Sequence, residues 1–333
     1  MDSKVNRRDF LKLSAAALAG FAFRDFPPGS DGLQDKSSTF TLGRTVHSLR
    51  YYRLPSLDSE ELGYYTADTV VKILKKTSGY SEAMNNVKWL KSEDGWFKGA
   101  YVQPVKYELN QPLTTVPASG MLVEVSVPYT QSYVDRGGEK KRDHRFYYKS
   151  THWVNNVIVA DNNLVWYQVL DDSSKDYSFV EAAHMRPIMP EEISPISPHV
   201  SDKVIKVDLA KQRITAYEDG RPVFSTRTST GYFDGTTPRG EHLVERKQPS
   251  SHMVPFEGNR YDLPGVPWVC YISWSGVSLH GTYWHNNYGT PESSGCINLT
   301  PEDALWFYRW TDPYVPPGED YVETSEGTRV VVS

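Results

Sequence analysis

Two cysteines occur in this chain of 333 residues, and they stand in different company. Cys270 lies inside Trp268-Val269-Cys270-Tyr271-Ile272, an apolar β-type run in which a thiol serves as a small hydrophobe. Cys296 follows Ser293-Ser294-Gly295 and stands just before a helix start, which makes it the candidate nucleophile. A cysteine attacks as thiolate. Since an unperturbed thiol has a pKa of about 8.5, an active one needs a neighbouring base or a local positive potential. His280, sixteen residues earlier, closes the run Gly276-Val277-Ser278-Leu279 and is the candidate base. A strand end holds a side chain rigidly at the rim of a sheet, and the loop from Thr282 to Ser293 is long enough to bring Cys296 back to it. Gly295 has no Cβ to obstruct a substrate, and backbone N–H groups near a helix start can stabilise an oxyanion. These residue types fit acyl transfer through a thioester.

Other readings of the thiols are weaker. Spacing alone leaves a Cys270–Cys296 disulfide open, but the two local sequences suit different tasks. There is no Cys-x-x-Cys and no His pair four apart on a recognisable helix, so neither a metal nor another cofactor is expected. A papain-like peptidase places its cysteine early and its histidine far downstream, the reverse of the order here.

The elements that must hold these groups are mostly strands. Lys203-Val-Ile-Lys-Val-Asp-Leu209 and Gln212-Arg-Ile-Thr-Ala-Tyr217 alternate apolar and polar residues, and Glu218-Asp219-Gly220 is a hairpin turn leading to Arg221-Pro-Val-Phe-Ser-Thr-Arg227. Residues 268–282 form a further strand pair turning at Ser275-Gly276. Helical signal is scarce. The clearest helix follows Cys296, where Thr300 is placed to N-cap, Pro301 sits at N1 and Asp303 at N3.

Upstream lie two stretches of short β-type runs split by turn formers. The first, 41–106, holds Ser48-Leu-Arg-Tyr-Tyr-Arg-Leu54 and Gly95-Trp-Phe-Lys-Gly-Ala-Tyr-Val102; the second, 118–189, holds Met121-Leu-Val-Glu-Val-Ser-Val127 and Leu164-Val-Trp-Tyr-Gln-Val-Leu170. Trp89-Leu-Lys and Trp166-Tyr-Gln align, and further on Tyr101 aligns with Tyr177, which reads as an internal duplication. A Pro-rich linker, 190–200, separates these modules from the last segment, 201–333. An aromatic share of 13%, with 22 Tyr and 9 Trp, suits such β-rich modules. The net charge of −5 offers no basic field, so nucleic acid is not an expected partner.

The N-terminus carries an address. Asn6-Arg7-Arg8-Asp9-Phe10-Leu11-Lys12 precedes an uncharged run from Leu13 to Phe23, too short for a membrane span and of the length of an export signal. The paired arginines resemble the twin-arginine signal of bacteria, which implies export of a folded protein by the twin-arginine translocase to the cell wall, the periplasm or the outer face of the membrane. Residues 1–23 are read as that signal, with a weakly marked cleavage site after Ala22, and 24–40 as a linker.

His280-Gly281-Thr282 and the loop ending in Ser293-Ser-Gly-Cys-Ile-Asn-Leu299 resemble the active-site signature of the L,D-transpeptidases, the YkuD-type catalytic domain. Lys203 to Val223 resembles that family's opening hairpin, and Ser229-Thr-Gly to Thr237-Pro-Arg-Gly its next motif. The resemblance implies Cys296 as acylated nucleophile, His280 as base and acid, and the Gly281 carbonyl as orienter of the imidazole. It implies Gly295 and Cys296 N–H groups in the oxyanion hole, Ser294 and Asn298 as loop supports, and Tyr283, Trp284, His285 and Tyr288 in a substrate-facing loop. Many relatives carry a second histidine where this chain has Ser294. The two upstream modules resemble bacterial SH3-like domains, which implies contact with the cell wall. The expected fold is therefore mainly β: two small SH3-like β-barrels, then an L,D-transpeptidase-type β-sandwich with one or two short helices. The implied activity is a peptidoglycan L,D-transpeptidase that releases D-Ala from a stem peptide and forms 3-3 cross-links. L,D-carboxypeptidase or protein-anchoring activity at the same site, or a non-catalytic wall-binding scaffold, are the alternatives.

Overall fold

A computed structural model describes residues 42–79, 87–173, 176–254 and 261–333; the export-type segment 1–23 and the linker 24–40 lie outside them. Among the described residues the chain is mainly β, with a single α-helix, Pro301–Trp310. No helix among them is long and apolar enough to cross a membrane.

The last segment is two five-stranded sheets. One orders its strands Arg221–Arg227, Arg213–Glu218, Lys203–Asp208, Arg329–Val332 and Gly240–Leu243. The other orders Ile297–Leu299, Ser278–Gly281, Leu263–Tyr271, Arg246–Met253 and Val322–Glu323. Period-2 patterning sets the inward faces. Ile214 and Ala216 are buried while their neighbours Arg213 and Thr215 face out, and Leu279, Ile297 and Leu299 point into the shared core. The hairpin at Asp219-Gly220 has positive φ at both residues, 47° and 75°, the backbone of a two-residue turn that matches strand twist. The helix starts where Thr300 Oγ1 accepts from Asp303 N at 3.1 Å, with Pro301 in the first turn. The reciprocal half of a capping box is absent from this cap, because Asp303 Oδ2 instead accepts from Thr226 Oγ1 at 2.8 Å and ties the helix to the other sheet. Phe307 and Trp310 are fully buried from this helix, which at roughly 1.5–3 kcal/mol each anchors it over strands 263–271 and 278–281.

Upstream, two units repeat one order of elements, a strand, a hairpin, further strands, one 3-10 turn and a last strand, with four strands between hairpin and turn in the first unit and three in the second. In the first, Leu42–Thr45 pairs with Val70–Lys72 and Val102–Val105, and a five-stranded sheet runs Glu61–Tyr65, Leu49–Tyr52, Trp96–Lys98, Val87–Lys91, Lys75–Gly79. In the second, one seven-stranded sheet runs Glu139–Tyr147, Tyr129–Arg136, Tyr177–Glu181, Val165–Leu170, Thr151–Val159, Met121–Val125, Met185–Pro187. The 3-10 turns are Gly99–Tyr101 and Ala182–His184. Registers give the correspondence: Trp89 opposes Lys98 and Trp166 opposes Glu181, in each case the last strand residue before the 3-10 turn. Trp89 and Trp166 are therefore equivalent. Tyr101, the last residue of its turn, corresponds to His184 and not to Tyr177, because the connection before the next strand is longer in the second unit, 171–176 against 92–95. Each unit has its own apolar cluster, while Leu122 and Trp153 of the second join the core of the last segment.

Candidate active site

Strand Ser278–Gly281 pairs in parallel with Ile297–Leu299, aligning Leu279 with Ile297 and His280 with Asn298. Since side chains alternate along a strand, Ser278 and His280 share one face, and Cys296 and Asn298 share the same face next door. The opposite face is the core. Cys296 Sγ lies 3.7 Å from Ser278 Oγ and 3.8 Å from the Gly276 carbonyl. Burial pushes this thiol up, but a hydrogen bond with His280, the charge of that imidazole, and Ser278 through its backbone and hydroxyl outweigh it and hold Cys296 below its ordinary value. His280 is buried, and its Nδ1 donates to the Gly281 carbonyl at 3.1 Å, which fixes the tautomer and turns Nε2 toward the thiol.

The loop before Cys296 is held from behind by Ser229-Thr230-Gly231. Ser229 and Asn298 exchange backbone hydrogen bonds at 3.0 and 2.8 Å, and Ser293 N donates to Thr230 O at 3.1 Å. Thr237 Oγ1 accepts from Gly231 N and donates to Gly295 O, both at 2.8 Å. Gly295 is required there: its φ is +150°, and a Cβ would lie 2.6 Å from the Thr236 carbonyl.

Several expected roles need correction. Gly295 N–H donates to Ser293 Oγ at 3.0 Å, so of the two expected oxyanion donors it is committed, and Cys296 N–H is the one that remains. Ser293, which the sequence reading passed over, also donates to the Cys296 carbonyl at 2.6 Å and braces the turn; Ser294 is exposed. Tyr283 does not face substrate but is buried, its hydroxyl donating to Pro264 O at 2.8 Å. Tyr288 is anchored to Thr282 Oγ1 and to Leu299 O at 2.5 and 3.0 Å. His285 is buried and lies 2.9 Å from the Asn298 amide, while its Nδ1 accepts from Asn287 N at 3.3 Å. With Nδ1 an acceptor, Nε2 carries the hydrogen, and the otherwise unpartnered Asn298 Oδ1 is its natural acceptor once the amide is turned over. Burial, then the neighbouring His280, lower His285 to about 3, so it stays neutral and structural. Of the four loop residues Trp284 and Tyr288 are part exposed, and Trp284 lies beside the base, its ring 5.6 Å from that of His280. Tyr271 and Tyr261 complete the surroundings: burial raises both phenols, and the charge of Cys296 raises each further. Cys270 is buried and free, 3.7 Å from Thr311 Oγ1, and Cys296 is free as well.

Residues 202–332 match the family model of the YkuD domain, the L,D-transpeptidase catalytic domain. The same segment is also similar to "L,D-transpeptidase 2" of Mycobacterium tuberculosis, 30% identical over 122 residues, which is 33% of this chain and 29% of that protein. A crystal structure of an Enterococcus faecium L,D-transpeptidase mutant is similar at 28% identity over 41% of this chain and 51% of that one, with a TM-score of 0.33. One from Xylanimonas cellulosilytica is similar at 26% identity over 42% and 63%, with a TM-score of 0.29. The chain thus spans under a third of the curated relative's length.

The upstream units close over the loop that follows His280. Arg44, almost wholly buried, donates to Gln103 Oε1 at 3.1 and 2.9 Å, to Asp68 Oδ1 at 2.6 Å and to the Tyr283 carbonyl at 2.6 Å. Its guanidinium lies 4.1 Å over the Tyr147 ring, which stacks on Tyr283 at 5.3 Å. Asn286 N donates to Ala100 O at 2.6 Å, and Tyr101 Oη donates to Glu292 at 3.3 Å.

Proposed function

We propose that the chain is an exported peptidoglycan L,D-transpeptidase. The observation that carries this reading is Cys296 hydrogen-bonded to His280, whose Nδ1 is held by the Gly281 carbonyl, inside the segment that matches the L,D-transpeptidase catalytic domain. The Cys296 thiolate attacks the carbonyl of an L-centre in a stem peptide, with Cys296 N–H placed to meet the oxyanion. As the tetrahedral adduct collapses, the C–N bond to D-Ala breaks and the His280 imidazolium gives its proton to the departing amine. A side-chain amine of a neighbouring stem then attacks the thioester, His280 takes up its proton, and the thiolate leaves, closing a 3-3 cross-link. The twin-arginine segment supports export, since the polymer lies outside the membrane, and the two upstream units, read as SH3-like, supply a wall-facing surface.

Incubation with a carbapenem tests the nucleophile. The intact chain gains the mass of one adduct and Cys296→Ala gains none; a normal adduct on Cys296→Ala overturns the assignment. Muropeptide analysis after incubation with tetrapeptide-rich peptidoglycan tests the reaction. New 3-3 dimers support it, and release of D-Ala without dimers replaces it by trimming.

A further inference from the structure

Where the second upstream unit meets the last segment, three potential ligands converge: His144 of strand Glu139–Tyr147, His252 of strand Arg246–Met253, and Asp262 just before strand Leu263–Tyr271. Their ligating atoms lie within 4.8 Å of one another. His144 Nε2 is 2.9 Å from Asp262 Oδ2, and His252 Nε2 contacts Asp262 Oδ1. Behind the rings sit two more carboxylates. Asp143 Oδ2 is 3.1 Å from His144 Nδ1, and Asp171 Oδ2 contacts His252 Nδ1. Asp172 Oδ1 accepts from the His252 backbone N–H at 2.7 Å, fixing that residue from a third side.

We propose that His144, His252 and Asp262 bind a divalent zinc-class cation that clasps the second upstream unit to the catalytic domain. Imidazole nitrogens with one carboxylate are a zinc ligand set, and each ring here is aimed by a carboxylate on its other nitrogen, the arrangement that orients metal-bound histidines. Both nitrogens of both rings face carboxylate oxygens, Nε2 toward Asp262 and Nδ1 toward Asp143 or Asp171. Tetrahedral ligation at about 2.0–2.1 Å sets ligand atoms about 3.3 Å apart, a small side-chain closure from the present positions. A cavity of about 180 Å³ borders His144 and His252, room for the water that completes four ligands. The sequence gives no motif for this site, because its ligands lie in three separate segments.

The test uses the full chain, stripped with chelator and then given zinc or cobalt(II). About one zinc per chain should be retained, with a tetrahedral cobalt spectrum and a raised unfolding temperature. Asp262→Asn, at a largely exposed position, and His252→Gln should each lose retention, and Asp171→Asn should bind about 10–100-fold more weakly. Cys296→Ala should keep the metal, separating the site from the thiol. No retained zinc, an octahedral cobalt spectrum, or equal binding by Asp262→Asn and His252→Gln overturns the proposal and leaves a hydrogen-bonded ion network in its place.

Discussion

At the scale of single residues, the reactivity of Cys296 is a contest between burial and one imidazole. Burial alone would raise the thiol; His280 and Ser278 reverse the sign. A thiol held low is ionised at lower pH than free cysteine, so its alkylation rate by iodoacetamide should rise with pH through a midpoint below the unperturbed value of about 8.5. In His280→Ala burial is left unopposed by the imidazole, and the midpoint should move up while acylation falls by about 10²–10⁴. An unmoved midpoint would mean that another group activates the thiol. Residue types were the most legible layer of the sequence: a cysteine after Ser-Ser-Gly, a histidine before Gly-Thr, and a free Cys270 in an apolar run can all be read from neighbours in the chain. Which of Ser293 and Ser294 turns inward was not legible, because it depends on the path of a loop held by Thr230 and Thr237 from elsewhere.

At the scale of elements, alternation and turn chemistry predicted the strands, and Thr300 with Pro301 predicted the start of the helix, because each depends only on local backbone physics. The end of that helix depends on a distant lysine. Lys247, buried on strand Arg246–Met253, donates to the carbonyls of Tyr308, Thr311 and Pro313 at 2.6, 2.8 and 2.6 Å. It thus satisfies carbonyls that the last turn leaves open and sits at the negative end of the helix dipole. Lys247→Met keeps most of the stem but strands those acceptors, and should lower stability by about 3 kcal/mol, measured by denaturant unfolding, with the midpoint falling and the slope unchanged. A loss under about 1 kcal/mol would show that water reaches the carbonyls. No sequence pattern announces such a residue, since an alternating strand reads a lysine as a solvent-facing position.

At the scale of the whole molecule, the contacts among units outrun what a reading of linkers suggests. Turn spacing, aromatic content and the Pro-rich linker point to separate modules, yet Arg44 of the first unit is satisfied only by combining Asp68 and Gln103 with the Tyr283 carbonyl of the loop after His280. Gln103 in turn donates to the Tyr148 carbonyl of the second unit at 2.8 Å, and Arg145 of that unit pairs with Asp68. Arg44→Ala leaves Asp68 with Arg145 and the Tyr147 hydroxyl and a loop carbonyl without its donor; removing one side of a buried pair costs about 3–5 kcal/mol. The expected result is lower thermal stability together with slower acylation of Cys296, read by carbapenem adduct formation; a change in stability alone would confine Arg44 to the fold.

That shared arginine also bears on how the chain comes apart. Modules joined by flexible linkers melt one at a time, each at its own temperature, whereas units that hold a common buried cation lose it together. Calorimetry of residues 42–333 should therefore show one main transition, which Arg44→Ala splits into steps. A protein so coupled would be released by unfolding all at once, with no intermediate in which the catalytic loop stays ordered after its first unit has gone.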